Sequence, residues 1–304
     1  TTFLQRELAA YTANVRTLSL IDIALPSNSL QAAMGGVSRA LAKVHPSEAS
    51  GLRRAVSTME DRWFGSIKRM HDLRFDQPAE DEFVLWSIFS SATCLNDSPH
   101  SAVIADDYHL RDHSRWSPEL NARSFGWYKA CLLKKLSREP RGDGGTLWAM
   151  SKNPAFTQRI IQLYRWFPEA RFVYLVRTPL QTIPSRLSLL TQIWKTRTKS
   201  FTKMSAEQVR VIVDDSCRAY LAAETQLAEI PQSRQLVVPY TELRQNPGAI
   251  LASICEKFGI DGVGDTTPVP GVYISQHTYG LDDYGLSERD LRSRLAPVFE
   301  RYGF

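Results

Sequence analysis

Three side chains of this sequence lie where they could bind anions: Lys152 could reach an anion at the end of its strand, and Arg177 and Ser185 could converge on one phosphate. Lys152 comes directly after a strand-like segment, 146–151, and Arg177 directly after another, 171–176. Ser185 lies on the helix that follows Arg177. A guanidinium group binds phosphate with paired hydrogen bonds, and ligands of α/β proteins sit at the carboxyl ends of the strands. The pattern predicts a phosphate site, although a solvated lysine and an arginine paired with a local carboxylate also fit it.

Other segments carry polar side chains that could reach the same ligand. Thr1 and Thr2 open a helix predicted over residues 2–12, where hydroxyl and backbone N–H groups can bind a phosphate. Tyr240 follows the predicted strand 235–239 and could face a flat base. A polar loop near the C-terminus holds Ser275, His277 and Tyr279. Taken singly, these residues also fit a helix cap, a core tyrosine and a structural histidine.

The elements that must position these residues change in type along the chain. Apolar residues at helical spacing predict helices over residues 2–12, 28–44, 47–70, 79–93 and 118–137. Strands and helices then alternate: strands 146–151, 171–176 and 235–239, with helices 154–166, from residue 180, 206–229 and 286–301. Continuously apolar strands between helices are typical of a buried parallel sheet. We therefore expect one α/β domain over residues 1–304, with a mostly helical region at 28–137.

Composition narrows the class of protein. The 304 residues are 43% hydrophobic and 23% charged, with a net charge of +5 and a pI near 9.0, which suits an anionic ligand. The basic residues form no run of the nucleic-acid type, and no apolar stretch is long enough to span a bilayer. The cysteines lie far apart: Cys94, Cys131, Cys217 and Cys255. We expect reduced thiols and a soluble, cytoplasmic chain, although any signal or anchor before Thr1 would be invisible.

Taken in order, the motifs closely resemble the bacterial-type branch of the sulfotransferase superfamily, over nearly the whole chain. The fold of that family is P-loop-like: a parallel sheet flanked by helices, with a helical region on the acceptor side. Thr1 and Thr2 resemble the last residues of its Pro-Arg-Ser-Gly-Thr-Thr loop, which cradles the 5'-phosphosulfate. The resemblance implies that this chain starts inside that loop, without its first strand.

The resemblance assigns a role to each matching residue. Segment 151–155, Ser-Lys-Asn-Pro-Ala, resembles the Lys-Ser-Pro-Ala motif, so Lys152 would contact the transferring sulfonate and its bridging oxygen. Arg177 and Ser185 match the 3'-phosphate clamp at its usual spacing. Tyr240 would lie near the adenine, and Thr241 departs from the acid expected there. The C-terminal loop with Ser275 and His277 would close over the nucleotide.

The catalytic base is harder to assign. Many relatives carry a histidine two positions after the lysine, but that position is Pro154 here, which cannot accept a proton. The segment from His71 to Glu82 resembles the acceptor-side His…Pro-Glu-Glu motif of the branch. The base would therefore be Glu80, Glu82 or His71, although Glu80 and Glu82 also fit an acidic first turn of a helix.

The resemblance implies transfer of a sulfuryl group from 3'-phosphoadenosine 5'-phosphosulfate (PAPS) to a hydroxyl or amine, without a metal. The acceptor could be a small molecule, a lipid or a carbohydrate, and no nucleic-acid partner is expected. Two alternatives remain: a nucleotide-binding remnant without activity, and a P-loop nucleotide kinase, which would need a Gly-Lys-Ser/Thr loop. An aromatic group could line an acceptor pocket or belong to the core: Trp116, Phe125, Trp127 and Tyr128.

Overall fold

The structure is a computed structural model. It describes residues 2–24, 54, 57–62, 74–75, 77–81, 84, 116–138, 145–198, 200–261 and 280–304. The α-helices are α1 (Thr2–Tyr11), α2 (Leu20–Ala24), α3 (Pro118–Arg138), α4 (Ile160–Trp166), α5 (Pro179–Arg197), α6 (Ala206–Ala228), α7 (Tyr240–Gln245), α8 (Pro247–Phe258), α9 (Glu288–Arg294) and α10 (Ala296–Tyr302). The strands are β1 (Val15–Thr17), β2 (Trp148–Met150), β3 (Phe172–Val176) and β4 (Gln235–Pro239). Short 3₁₀ helices cover Pro154–Gln158, Gln232–Arg234 and Asp282–Tyr284.

The strands form two parallel pairs. β1 pairs with β2, placing Val15 beside Trp148, and β3 pairs with β4, placing Val176 beside Pro239. Parallel pairing requires a crossover connection, and helices supply it between β3 and β4. The predicted parallel arrangement is confirmed, whereas β1 escaped the sequence analysis because its three residues are too few to show a period.

Side chains of β3 alternate between two cores, as the two-residue period of a strand requires. Val173 and Leu175 pack toward α1 and α8, in a core that also contains Leu4, Leu8 and Leu251. Residues of both strand pairs contribute to this core, so one layer of helix covers them together. The layers therefore join the two pairs into one α/β unit.

The opposite face of β3 is covered by four helices. Tyr174 and Val176 pack there against the core formed by α5, α6, α9 and α10, whose most buried members include Ile183, Leu187 and Leu295. With helices on both faces, β3 needs no polar surface, which explains its continuously apolar sequence. The predicted fold class, α/β with a parallel sheet flanked by helices, is confirmed.

The helix predicted over 79–93 is wrong at its start. Pro78 forms an isolated antiparallel bridge with Ser19, and the N–H of Ala79 donates to the carbonyl of Leu18 at 3.1 Å. These bonds join the chain to the segment after β1; Ala79 and Glu80 are not helical, and a turn follows at Asp81. The predicted helix 28–44 lies outside the described residues, as does most of the helix predicted over 47–70.

Two other predicted helices are interrupted. Segment 154–166 begins as a 3₁₀ helix and becomes α4 only after Arg159. Segment 286–301 divides at Leu295 into α9 and α10, because Pro297 lacks an N–H and its ring would clash with a carbonyl four residues earlier. Among the described residues, no helix is long and apolar enough to cross a membrane.

Candidate active site

Arg177 and Tyr240 meet at the carboxyl ends of β3 and β4. Each directly follows its strand, and because Val176 is paired with Pro239, the next residues emerge side by side. The guanidinium carbon of Arg177 lies 4.9 Å from the centre of the Tyr240 ring, within the range of a cation–π interaction. The two residues predicted to bind different parts of one nucleotide are therefore in contact.

Helices α5 and α6 fix the position of Arg177. Its Nε donates to Oε1 of Gln181 at 3.0 Å, and the Tyr220 hydroxyl donates to its main-chain carbonyl at 2.6 Å. Burial raises the pKa of Tyr220 to about 12, so this hydroxyl keeps its proton at neutral pH. Among the described residues, the terminal nitrogens of Arg177 have no hydrogen-bond partner and no carboxylate pairs with them. Their donors are available to an anion.

Ser185 lies on the face of α5 that approaches Arg177. It is four residues after Gln181, which bonds Arg177, and residues four apart lie on one face of a helix. The side chain is half-buried. Arg177 and Tyr240 are thus in contact at the β3–β4 edge, and Ser185 lies on the side of α5 that carries Gln181, the partner of Arg177.

Lys152 lies two residues after β2 and is paired with Glu80. Its Nζ is 2.6 Å from Oε1 of Glu80, and the two side chains are 10% and 37% exposed. Nζ has three donors, so it can bind a second oxygen while it keeps this one. Two of the candidate catalytic residues, separated by 72 positions in sequence, therefore form one ion pair.

Asp81, which the sequence analysis did not select, is hydrogen-bonded to the two residues that flank Lys152. Its carboxylate is 1% exposed and accepts hydrogen bonds from the Tyr128 hydroxyl at 2.8 Å, the Ser151 hydroxyl at 2.9 Å and the side-chain amide of Asn153. Burial raises the pKa of Asp81 to about 6, against the opposing effect of these hydrogen bonds. Only its place in the acidic run 80–82 could have signalled it.

Several predicted site residues fall outside the described residues: Thr1, His71, Glu82, Ser275, His277 and Tyr279. Thr2 begins α1, but its side chain is not described. Their roles stay predictions. In the part of the chain that the structure describes, no cluster of His, Cys, Asp and Glu is grouped to hold a metal ion.

The aromatic residues of α3 belong mainly to the core. Phe125 stacks on Trp166 at 5.7 Å between ring centres, and Tyr128 meets Phe156 edge-on at 5.6 Å. Phe125 and Tyr128 are 1% and 2% exposed. Rings held this way contribute to stability rather than to an open pocket.

Comparison with known proteins gives a family and a fold. A family model described as the sulfotransferase family matches residues 1–265. The crystal structure of sulfotransferase STF9 from Mycobacterium avium is similar, with a TM-score of 0.71 and 18% identity over 99% of this chain and 73% of that one. Sulfotransferase STF1 from Mycobacterium tuberculosis H37Rv (type1 form) gives 0.66 and 19%, over 97% and 73%. No curated protein matches the chain.

Proposed function

Since this chain belongs to the sulfotransferase family, we propose that it transfers a sulfuryl group from PAPS to a hydroxyl or amine acceptor. One observation carries the proposal. A cation with available donors, Arg177, stacks on Tyr240 at the ends of β3 and β4, while a second cation, Lys152, follows β2. Carboxyl ends of parallel strands are where such folds bind nucleotides.

The chemistry of these residues fits the donor. The terminal nitrogens of Arg177 would bind the 3'-phosphate with Ser185 as an additional donor, and Tyr240 would lie against the adenine. Lys152 would bind the sulfonate and the bridging oxygen. Thr1 and Thr2 at the start of α1 would contribute to the 5'-phosphosulfate site, and Ser275 and His277 would close over the nucleotide.

In the proposed reaction, the acceptor oxygen or nitrogen attacks sulfur in line with the bond that breaks. The electron pair of that bond stays on the 5'-phosphate oxygen of the nucleotide, where the positive charge of Lys152 stabilises it. Preorganised charge of this kind contributes about 3 to 4 kcal/mol to lowering the barrier. Sulfuryl transfer otherwise depends on positioning, as phosphoryl transfer does.

We assign removal of the acceptor's proton to Glu80. It adjoins Lys152, and Oε2 has no hydrogen-bond partner among the described residues, while the side chain is 37% exposed. An oxygen that is open to solvent beside the transferring group can accept a proton from an incoming hydroxyl. Glu82 and His71 remain the alternatives for this role.

The acceptor is proposed only by class: a small molecule, a lipid or a carbohydrate that carries the nucleophile, and not a nucleic acid. We also propose a cytoplasmic location. Three described cysteines, Cys131, Cys217 and Cys255, are free and buried, and free thiols are usual in reducing compartments.

The test is thermal unfolding with 3'-phosphoadenosine 5'-phosphate (PAP), compared with AMP. At about a hundredfold excess over the dissociation constant, binding adds roughly 2.7 kcal/mol to stability. We expect PAP to stabilise the protein, AMP to do so far less, and Arg177→Ala to abolish the difference. Arg171→Ala is the matched control, because Arg171 stacks on Trp148 at the opposite end of β3.

The remaining outcomes separate the alternatives. Equal stabilisation by AMP and PAP, or equal loss in Arg171→Ala, would contradict the proposed clamp. Stabilisation by ATP with Mg²⁺ in place of PAP would favour the nucleotide kinase. PAP binding without release of PAP from PAPS, across aryl and alkyl alcohols and amines, would favour the inactive remnant.

A further inference from the structure

Asp81 and Glu80 together bind three consecutive residues of the loop after β2. Glu80 accepts a hydrogen bond from the ammonium group of Lys152. Asp81 accepts hydrogen bonds from the side chains of the two flanking residues, Ser151 and Asn153. Both flanking residues donate to the same oxygen, Oδ1. The backbone on either side of Lys152 is therefore tied to the residue next to the proposed base.

The second oxygen of Asp81 is tied to the core. Oδ2 accepts from the Tyr128 hydroxyl, and the Tyr128 ring meets Phe156 and Phe167 edge-on at 5.6 and 6.0 Å. The Tyr128 ring is 2% exposed, so the carboxylate is hydrogen-bonded to a side chain that is packed in the core. The Asp81 carboxylate therefore links the core, through Tyr128, to the loop of Lys152, through Ser151 and Asn153, and we call it the bracket.

A carboxylate in this place carries an energetic cost. It is 1% exposed, and among the described residues its three side-chain hydrogen-bond donors are a phenol, an alcohol and an amide, its own backbone N–H is a fourth donor, and none of them is a cation. The nearby cation, Lys152, is paired with Glu80 instead. Burying a charge that hydrogen bonds only partly compensate is unfavourable for stability, whereas fixing geometry is a use for which buried polar groups are retained in some proteins.

We propose that Asp81 is the positioning residue of the active site: by binding Ser151 and Asn153, it sets the distance between Lys152 Nζ and Glu80 Oε1 that sulfuryl transfer requires. The inference rests on the proposed function for its kinetic consequence, but its geometric consequence stands independently. Asp81 acts through Lys152 and Glu80 and does not contact substrate.

The test compares Asp81→Ala with Asp81→Asn. Alanine releases all three donors, so we expect the Lys152–Glu80 hydrogen bond to be lost in a crystal structure of the variant. Displacement of about 1 Å can cost about 100-fold in rate, and we expect that fall in kcat with PAPS and the best acceptor among the aryl and alkyl alcohols and amines, with little change in KM for PAPS. Asparagine can accept from Ser151 and Asn153 through its oxygen and donate to Tyr128, so it should restore kcat to within about threefold.

Glu224→Ala is the matched control for stability. Glu224 also accepts from a tyrosine hydroxyl, that of Tyr302 at 2.6 Å, and pairs with Arg301 at 2.7 Å; both partners belong to α10 and not to the proposed site. Its loss should lower Tm and leave kcat unchanged. PAP stabilisation should survive in both alanine variants, because Arg177 and Tyr240 are untouched.

Failure of each idea has a separate signature. An unchanged Lys152–Glu80 distance in Asp81→Ala, or an unchanged kcat, overturns the positioning role. Absence of turnover in the wild type counts against the proposed function, and the crystallographic distance then decides the positioning role alone. If Asp81→Ala does not fold, the double variant Ser151→Ala/Asn153→Ala removes the loop side of the bracket and must show the same lost hydrogen bond.

Discussion

The buried carboxylate of Asp81 should make stability depend on pH in a direction opposite to that of an ordinary salt-bridged aspartate. Its pKa is raised from 3.8 to about 6 in the folded chain, so the folded state binds this proton more tightly than the unfolded state. The favourable contribution is complete below pH 4 and is lost as pH rises through about 6. Stability relative to a variant that cannot titrate must therefore fall with rising pH.

The magnitude follows from the shift. A change of roughly 2 units corresponds to about 3 kcal/mol over the whole transition, at about 1.4 kcal/mol per unit. Between pH 5 and pH 7.5 the unfolded carboxyl is already ionised, so only the folded titration contributes, and the change is about 1.4 kcal/mol. A free-energy change of that size is well above the error with which denaturation midpoints report a difference in stability.

Urea unfolding of the wild type and Asp81→Asn at pH 5, 6, 7 and 7.5 measures this quantity. Asparagine keeps the shape without the charge, so the contributions of distant titrating groups cancel in the difference. Tyr128→Phe removes one of the hydrogen bonds that lower the pKa of Asp81 and should steepen the dependence. A difference between wild type and Asp81→Asn that stays constant or grows with pH would refute the reasoning.

Three further predictions concern stability, each measured by urea unfolding. Tyr220→Phe removes the 2.6 Å hydrogen bond to the carbonyl at the end of β3 and should cost about 1 kcal/mol; no change would mean that water replaces it. Gly259→Ala, at φ 64° with open space around the new methyl, should cost about 1–2 kcal/mol through backbone strain alone. Gly126→Ala, at an exposed position of α3, should instead stabilise by about 1 kcal/mol; a change in stability of the same sign for both glycine substitutions would contradict the two predictions. Leu187→Ala in the core should cost about 2–5 kcal/mol, against less than about 0.5 for exposed Leu133→Ala; similar values would contradict the packing described.

The strands and helices that the sequence predicted well are those with strong local patterns. β4 has the predicted bounds 235–239, and α6 differs from its prediction by one residue, since a continuous apolar run and a long amphipathic repeat are local properties. β1 and the extended conformation at Pro78 were not predicted. Both depend on partners far along the chain, at Trp148 and Ser19, which override local preference.

The residues of the candidate site also fall into two groups, those that a local sequence pattern predicts and those that depend on distant contacts. Lys152, Arg177 and Tyr240 could be selected because each follows a strand, and the carboxyl ends of strands are a general ligand site. The choice of Glu80 as partner of Lys152 and the existence of Asp81 as a bracket could not be derived. These adjacent acids reach Lys152 and its two neighbours from a non-helical segment, where the sequence indicated a helix.

The bracket at Asp81 also determines when the site appears during folding. Its bonds to Ser151 and Asn153 join residues 70 and 72 positions apart, and Arg177 meets Tyr240 across a similar separation. Closing a flexible loop of that length costs roughly 4 kcal/mol of entropy beyond a constant, before any contact offsets it. A chain that has formed its helices, but has closed neither loop, has no assembled site. Sulfuryl transfer by this protein would therefore be a stricter measure of complete folding than its helix content.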